Sequence, residues 1–113
     1  MSKLPIDLDH LAAYTGGEKA LNAEILTLFD GQITDMVAQL NGLVQAGDGQ
    51  RWRQVVHTIK GAARGVGAFD MGNAAAAAEP LDPVNQVAAL AALKSLEDEA
   101  ATVRAFIRDY LTI

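Results

Sequence analysis

Residues 48–68 read DGQRWRQVVHTIKGAARGVGA, and the clearest structural signal in the chain lies here. Asp48 is a candidate N-cap and Gly67 ends the apolar periodicity, so we predict a helix from about residue 49 to residue 66. On a wheel of about 100° per residue the apolar side chains share one face, which is typical of a helix that packs on a core. That face contains Trp52, Val55, Ile59, Ala62, Ala63 and Val66.

The opposite face of this helix is polar and basic, with His57 at its centre. The histidine is therefore predicted to point to solvent rather than into the core. Its neighbours on the wheel are Gln50, Arg53, Gln54, Lys60, Gly61 and Arg64. A purely solvated face is the plainer interpretation, but these like charges repel one another and no acid in the segment relieves them.

Charge is distributed unevenly along the chain. The formal net charge is −5, whereas the stretch between Asp48 and Asp70 contains four bases and no acid. We call these four residues, Arg51, Arg53, Lys60 and Arg64, the basic island. The overall acidity argues against nucleic acid as a partner, and the basic island indicates a local anion.

A glycine beside the histidine indicates which kind of anion to expect. Gly61 lies one turn after His57, where glycine costs a helix about 1 kcal/mol relative to alanine. Its missing Cβ leaves room for a group to approach the imidazole. A neutral imidazole is a competent nucleophile near neutral pH, and Lys60 and Arg64 are placed to stabilise an attached phosphoryl group. These features predict a phosphorylated histidine.

The chain before this helix is also predicted to be helical. Residues 7–14 have the pattern of a short helix that ends at Thr15-Gly16-Gly17. From residue 18 to residue 46 the apolar positions keep a helical spacing. The phase continues across Gly31, so this segment is either one long helix with a weak point there or two helices.

The chain after this helix contains two more helical segments. A short one is predicted to be capped by Asp70, to run through the alanines at 74–78 and to end at Pro80. The last begins at Asp82-Pro83 and continues to about Leu111. Because the turns are short, we predict an all-α fold: a single domain over residues 1–113, built as an up-and-down antiparallel four-helix bundle with a short extra N-terminal helix.

Several classes of protein and site are not indicated. The longest uncharged run has polar residues within it and is too short for a membrane span, which needs about 20 apolar residues. The first residues lack the apolar region of a secretory signal, and the chain has no cysteine, so we expect a cytoplasmic protein. Neither the G-x-x-x-x-G-K-[ST] loop nor the G-x-G-x-x-G motif is present, so no nucleotide cofactor is predicted. No obvious set of metal ligands is present either, so no metal site is predicted.

The sequence from His57 to Ala68, HTIKGAARGVGA, resembles the signature of histidine-containing phosphotransfer (HPt) domains, roughly H-x-[LI]-K-G-x(5)-G-[AM]. The opening segment over residues 6–17 and Ala46-Gly47-Asp48 are also similar to the family, so the resemblance covers nearly the whole chain. It implies a four-helix bundle with His57 as the phosphorylated residue, Lys60 stabilising the phosphate and Gly61 providing clearance. Gly67 matches the glycine that ends the motif. The chain departs from many members at Ala62, where they have serine, and in its alanine-rich segment after the motif.

The resemblance also implies a role and partners. Members of this family relay a phosphoryl group between the aspartates of response-regulator receiver domains, and the receiver contributes Mg²⁺ and an acidic pocket. We therefore expect a monomeric phosphorelay intermediate rather than an enzyme, with receiver domains and a (hybrid) histidine kinase as partners. The expected partner-binding residues are Arg53, Gln54, Arg64, Gly65 and Ala68.

Two other functions remain open at this stage. A helical module that docks a receiver or kinase without being phosphorylated would not need the intact set of His57, Lys60 and Gly61. An enzyme that uses His57 as a general base needs an orienting carboxylate and a substrate pocket, and the sequence indicates neither.

Overall fold

A computed structural model describes residues 4–112 and contains five α-helices. They are α1 (Leu8–Thr15), α2 (Lys19–Ala46), α3 (Gly49–Val66), α4 (Phe69–Ala78) and α5 (Gln86–Leu111). This part of the chain has no β-strand, which confirms the all-α prediction. None of its helices is both long enough and apolar enough to cross a membrane.

Four of the helices close into a ring around one core. Helix α2 packs on α3, α3 on α4 and α4 on α5, and α5 closes the ring against α2. The short connections after α2 and α3 make those neighbours antiparallel. Trp52 and Ile59 on the predicted apolar face of α3 are fully buried, together with Leu26, Ile33 and Leu96 from the long helices.

Helix α2 is continuous across Gly31, which settles the alternative that the sequence left open. The buried side chains Phe29 and Ile33 flank the glycine and keep one phase on the core. The Asp30 carboxylate also accepts a hydrogen bond of 2.8 Å from Nε of Arg104 on α5. A single glycine costs only about 1 kcal/mol, which packing on both sides outweighs.

Two predicted helix starts were wrong. Helix α5 begins at Gln86 with Asn85 as its N-cap, not at Asp82-Pro83. The Asp82 carboxylate instead accepts a hydrogen bond from the Val84 N–H at 3.0 Å, so it stabilises a turn that precedes the helix. Helix α4 begins at Phe69 with Ala68 at the N-cap position. Asp70 lies in the first turn, where a negative side chain favours the helix dipole without capping it.

Helix α1 is attached to the end of α3 through Gly67. The Asp7 N–H donates a hydrogen bond of 2.9 Å to the Gly67 carbonyl, while the Asp7 side chain caps α1. Gly67 has a φ of +90°, and a Cβ there would lie 2.7 Å from the backbone oxygen of Asp7. The position therefore needs glycine both for its left-handed conformation and for the close approach of the chain.

Candidate functional site

His57 is exposed on α3, as the wheel predicts. Its side chain is 66% exposed, whereas Ile59 and Trp52 on the other side of the helix are fully buried. The imidazole therefore stands on an open surface rather than in a substrate cleft. This arrangement suits a histidine that must meet a group carried by another macromolecule.

The structure brings a carboxylate to His57 that the sequence did not indicate. Oε2 of Glu79 lies 3.2 Å from Nδ1 of His57. An ionised carboxylate only accepts hydrogen bonds, so this contact places the ring proton on Nδ1 and leaves the lone pair on Nε2. Within residues 4–112, Nε2 has no hydrogen-bond partner. The nucleophilic nitrogen of the neutral imidazole is therefore the one that faces solvent.

Lys60 contacts the same carboxylate from its other side. Nζ of Lys60 lies 2.6 Å from Oε1 of Glu79, and each side chain is about a quarter exposed. The hydrogen bond from Lys60, with a smaller share from His57, holds the pKa of the Glu79 carboxyl below its usual range. Glu79 is therefore ionised at neutral pH and bridges the histidine to the lysine.

The position of Glu79 follows from the hairpin of α3 and α4. His57 and Glu79 are each eleven residues from Ala68, in the turn that joins the helices. Residues equally far from the turn of an antiparallel pair lie at equal heights, because each helix rises about 1.5 Å per residue. The missing signal was thus the register of the hairpin, since α3 itself contains no acidic residue.

A buried hydrogen bond fixes the end of α4 against α3. Nε1 of Trp52 donates to the carbonyl oxygen of Ala78 at 3.0 Å, and both residues are fully buried. Ala78 is the last residue of α4, where helix carbonyls lack intrahelical partners. Because Glu79 follows directly, this bond places its carboxylate beside His57.

The two glycines on the exposed side of α3 border open space. A Cβ built on Gly61 or on Gly65 would meet no other atom within 4 Å. Gly61 lies one turn from the imidazole, and no side chain fills the space where its Cβ would lie. The predicted clearance for an approaching group is therefore available.

Most of the expected partner-binding residues are on the surface. Arg53, Gln54, Arg64 and Gly65 are exposed. Ala68 is fully buried, so its assignment to this surface was wrong. It lies at the turn into α4, where its N–H donates to the Ala63 carbonyl at 2.8 Å and its methyl group joins the core.

Among the residues that the structure describes, Lys60 is the one member of the basic island that forms a salt bridge. Arg53 and Arg64 make no salt bridge with any residue in the range 4–112. In that range no group of three or more His, Cys, Asp or Glu side chains is arranged to hold a metal ion. The site thus presents a histidine, a carboxylate and unpaired cations.

A helical bundle that exposes one histidine between a carboxylate and a cluster of cations has the features of a phosphotransfer domain. The sequence matches the Hpt domain family over residues 24–107, a range that includes His57, Lys60, Gly61 and Glu79. The chain therefore belongs to the Hpt domain family, the histidine phosphotransfer domains of two-component signalling.

Among solved structures, the fold is similar to that of histidine-containing phosphotransfer protein B (HptB) from Pseudomonas aeruginosa PAO1. The two share 22% identical residues with a TM-score of 0.80, and the match covers 99% of each chain. This likeness confirms the bundle. A comparison with curated protein sequences gives no significant match.

Proposed function

We propose that this protein is a phosphorelay intermediate whose His57 accepts a phosphoryl group from the phospho-aspartate of a receiver domain and passes it to another receiver. The observation that carries the proposal is the state of the imidazole. Nδ1 is held by Glu79, whose other oxygen contacts Lys60, and Nε2 faces solvent. The proposed acceptor atom is Nε2.

The transfer is a displacement at phosphorus between two partners. The Nε2 lone pair forms the new N–P bond while the P–O bond to the receiver's aspartate breaks, and the aspartate leaves as a carboxylate. The ring then carries positive charge with its proton still on Nδ1, where Glu79 accepts the hydrogen bond. The fixed negative charge of Glu79 stabilises this imidazolium, and the same steps in reverse return the phosphoryl group.

Lys60 has the geometry to stabilise the phosphorylated state. Its ammonium group has three donors, of which one is directed to Glu79 at 2.6 Å. The remaining donors are available to phosphoryl oxygens on the neighbouring turn, where His57 lies three residues earlier. Gly61 leaves the path to Nε2 open, since no atom fills the space where its Cβ would lie.

The partner is proposed to supply the remaining chemistry. Phosphoryl transfer depends on positioning and charge neutralisation, usually with Mg²⁺. A receiver domain contributes that ion and an acidic pocket, which complements the exposed Arg53 and Arg64. In this arrangement the chain needs no cofactor of its own and acts as a relay rather than as an enzyme. A histidine kinase is the other proposed partner.

The decisive experiment mixes the purified protein with a receiver domain that has been phosphorylated in the presence of Mg²⁺. We expect a label on the protein that is acid-labile and absent from the His57→Ala variant. Long-range ¹H–¹⁵N spectra of the labelled protein should place the phosphoryl group on Nε2. Attachment to Nδ1 would contradict the role assigned to Glu79.

If the protein is only a docking module, the labelling experiment should give the opposite result. A protein that binds several receivers, remains folded and never takes the label would be a binding module. The general-base enzyme now has the carboxylate that it requires, but the 66% exposure of the His57 side chain offers no enclosed site for a small substrate.

A further inference from the structure

The side chain of Arg64 crosses α4 at a glycine. Gly72 is buried, and a Cβ built on it would lie 2.8 Å from Cγ of Arg64, with Nε at 3.5 Å and Cδ at 3.7 Å. The arginine stem therefore occupies the space that any other residue at position 72 would fill. The two residues are each four positions from Ala68, so they face each other across the hairpin.

A methyl group at position 72 would redirect this arginine. The position of Cγ is set by the first side-chain torsion, and helical arginines have two common rotamers at that torsion. Relief of the overlap therefore requires either the other rotamer or a wider spacing between α3 and α4. Gly31 and Gly42 of α2 are different, because a Cβ at either meets nothing within 4 Å.

The glycine at position 72 is costly for α4 itself. It lies inside the helix, immediately before Asn73 and the alanines at 74–78. Alanine at this position would favour the helix, because glycine loses more backbone entropy on folding. Within the structure, the feature that requires glycine here is the passage of Arg64.

Arg64, whose side chain would be redirected, is part of the exposed surface around His57. Arg64 lies on the exposed side of α3, one turn beyond Lys60, and its guanidinium makes no salt bridge in the part of the chain that the structure describes. A guanidinium with a fixed stem loses less freedom when it binds a carboxylate or a phosphoryl group. The gap left by the missing Cβ of Gly72, which we call the notch, thus accommodates the stem of a cation that has no salt bridge within residues 4–112.

We propose that Gly72 is a positioning residue, which fixes Arg64 so that its guanidinium binds the acidic surface of a phosphorylated receiver domain. This inference rests on the proposed function, because it concerns the same transfer to His57. It adds that α4 determines the direction of a cation carried by α3. It also predicts that the orientation of Arg64, not only its charge, governs recognition of the receiver.

The test measures transfer from a receiver phosphorylated with acetyl phosphate and Mg²⁺, under conditions that give kcat/KM. We expect Gly72→Ala to lower kcat/KM by about 3- to 10-fold and to weaken its dependence on salt. In an Arg64→Ala background, Gly72→Ala should have no further effect. The matched control is Gly42→Ala, the same substitution in open space on α2, which should transfer at the wild-type rate.

Two further measurements show whether slower transfer in Gly72→Ala comes from impaired docking of the receiver and from a more mobile Arg64. Phosphoramidate, a small donor that needs no docking surface, should label wild-type protein and Gly72→Ala at equal rates. The ¹⁵N order parameter of the Arg64 Nε–H group should fall in Gly72→Ala, because the stem has lost its groove.

Three results would overturn the proposal. One is wild-type kcat/KM in Gly72→Ala, and the second is a further loss when Gly72→Ala is added to Arg64→Ala, which would mean that the glycine acts on helix packing. The third is an unchanged order parameter for Arg64. A wild-type protein that takes no phosphoryl group from receiver or phosphoramidate would contradict the proposed function instead, and the order parameter would still test the notch.

Discussion

Nε1 of Trp52 donates a 3.0 Å hydrogen bond to the carbonyl oxygen of Ala78, the residue that precedes Glu79. The bond joins the first half of α3 to the end of α4 inside the core. Trp52 is a core residue that lies five positions before His57 in the sequence. Through this bond it positions the Glu79 carboxylate, which in turn orients the imidazole of His57. We therefore predict that Trp52 affects both the stability of the bundle and phosphoryl transfer.

Trp52→Phe should weaken both properties. The variant keeps an aromatic ring but loses the hydrogen bond and part of the buried volume, so the free energy of unfolding should fall by about 2 kcal/mol. The rate of phosphoryl transfer should also fall, because the end of α4 is no longer fixed. Urea unfolding and a transfer assay measure the two effects. Phe29→Leu, a similar loss of ring volume in α2, should lower stability and leave the transfer rate of folded protein unchanged.

Removal of the carboxylate should slow transfer without unfolding the bundle. Glu79→Ala frees the imidazole to rotate and removes the charge that stabilises the imidazolium, so we expect a loss of about tenfold or more in the transfer rate. The assay is single-turnover transfer from a phosphorylated receiver. Glu97→Gln on α5 changes the net charge by the same amount at an exposed position, and it should behave as wild type. Equal rates for Glu79→Ala and wild type would show that the contact has no role in transfer.

The lowered pKa of Glu79 should appear in the pH dependence of stability. Its ionised form is favoured by Lys60 in the folded state, so the unfolded chain takes up a proton first as the pH falls. The stabilisation is fully present above the ordinary value of 4.5 and is lost as the pH falls through the lowered pKa of the folded state. The difference in unfolding free energy between wild type and Glu79→Gln should therefore be constant near neutral pH and shrink below 4.5. A difference that grows with acidity would contradict this assignment.

Much of this arrangement could be predicted from local sequence, because α3 carries its own signals. Its cap follows from Asp48, and the exposure of His57 and most of the buried face follow from the helical period. Val56 is also fully buried and Ala62 only partly so, which the wheel did not predict. The start of α5 could not be predicted in this way. Asp82 and Pro83 have the pattern of a helix start, yet the same residues form a turn that lies next to Gly49.

The parts of the site that escaped prediction depend on two helices at once. Glu79 is close to His57 only because α3 and α4 form a hairpin of fixed register. The reason for a glycine at position 72 becomes evident only from the structure, in which Arg64 passes over it. Ala68 was misplaced on the surface for the same reason, since its burial is decided by the turn between the helices. Contacts across a hairpin require the register, which no single periodic segment specifies.

Substitution of Gly61 should raise the stability of the bundle and lower its rate of phosphoryl transfer. Because a Cβ there meets no atom within 4 Å, Gly61→Ala should raise the free energy of unfolding by about 0.5 to 1 kcal/mol through helix propensity. Transfer from a receiver should nevertheless fall, since the methyl group stands where the partner approaches Nε2. Gly42→Ala should give the same stabilisation with unchanged transfer. A Gly61→Ala protein with normal transfer would show that clearance is not the role of this glycine.

Reversal of a charge at Arg53 should act on association rather than on chemistry. Arg53 is exposed, lies one turn before His57 and has no salt bridge within residues 4–112. A glutamate there would repel an acidic receiver, so the association rate should fall at low salt and depend less on ionic strength. Stopped-flow binding at several salt concentrations measures this, and Arg108→Glu near the end of α5 provides the same charge change away from the site. If both variants slow association equally, net charge alone steers the partner, and the basic island has no directional role.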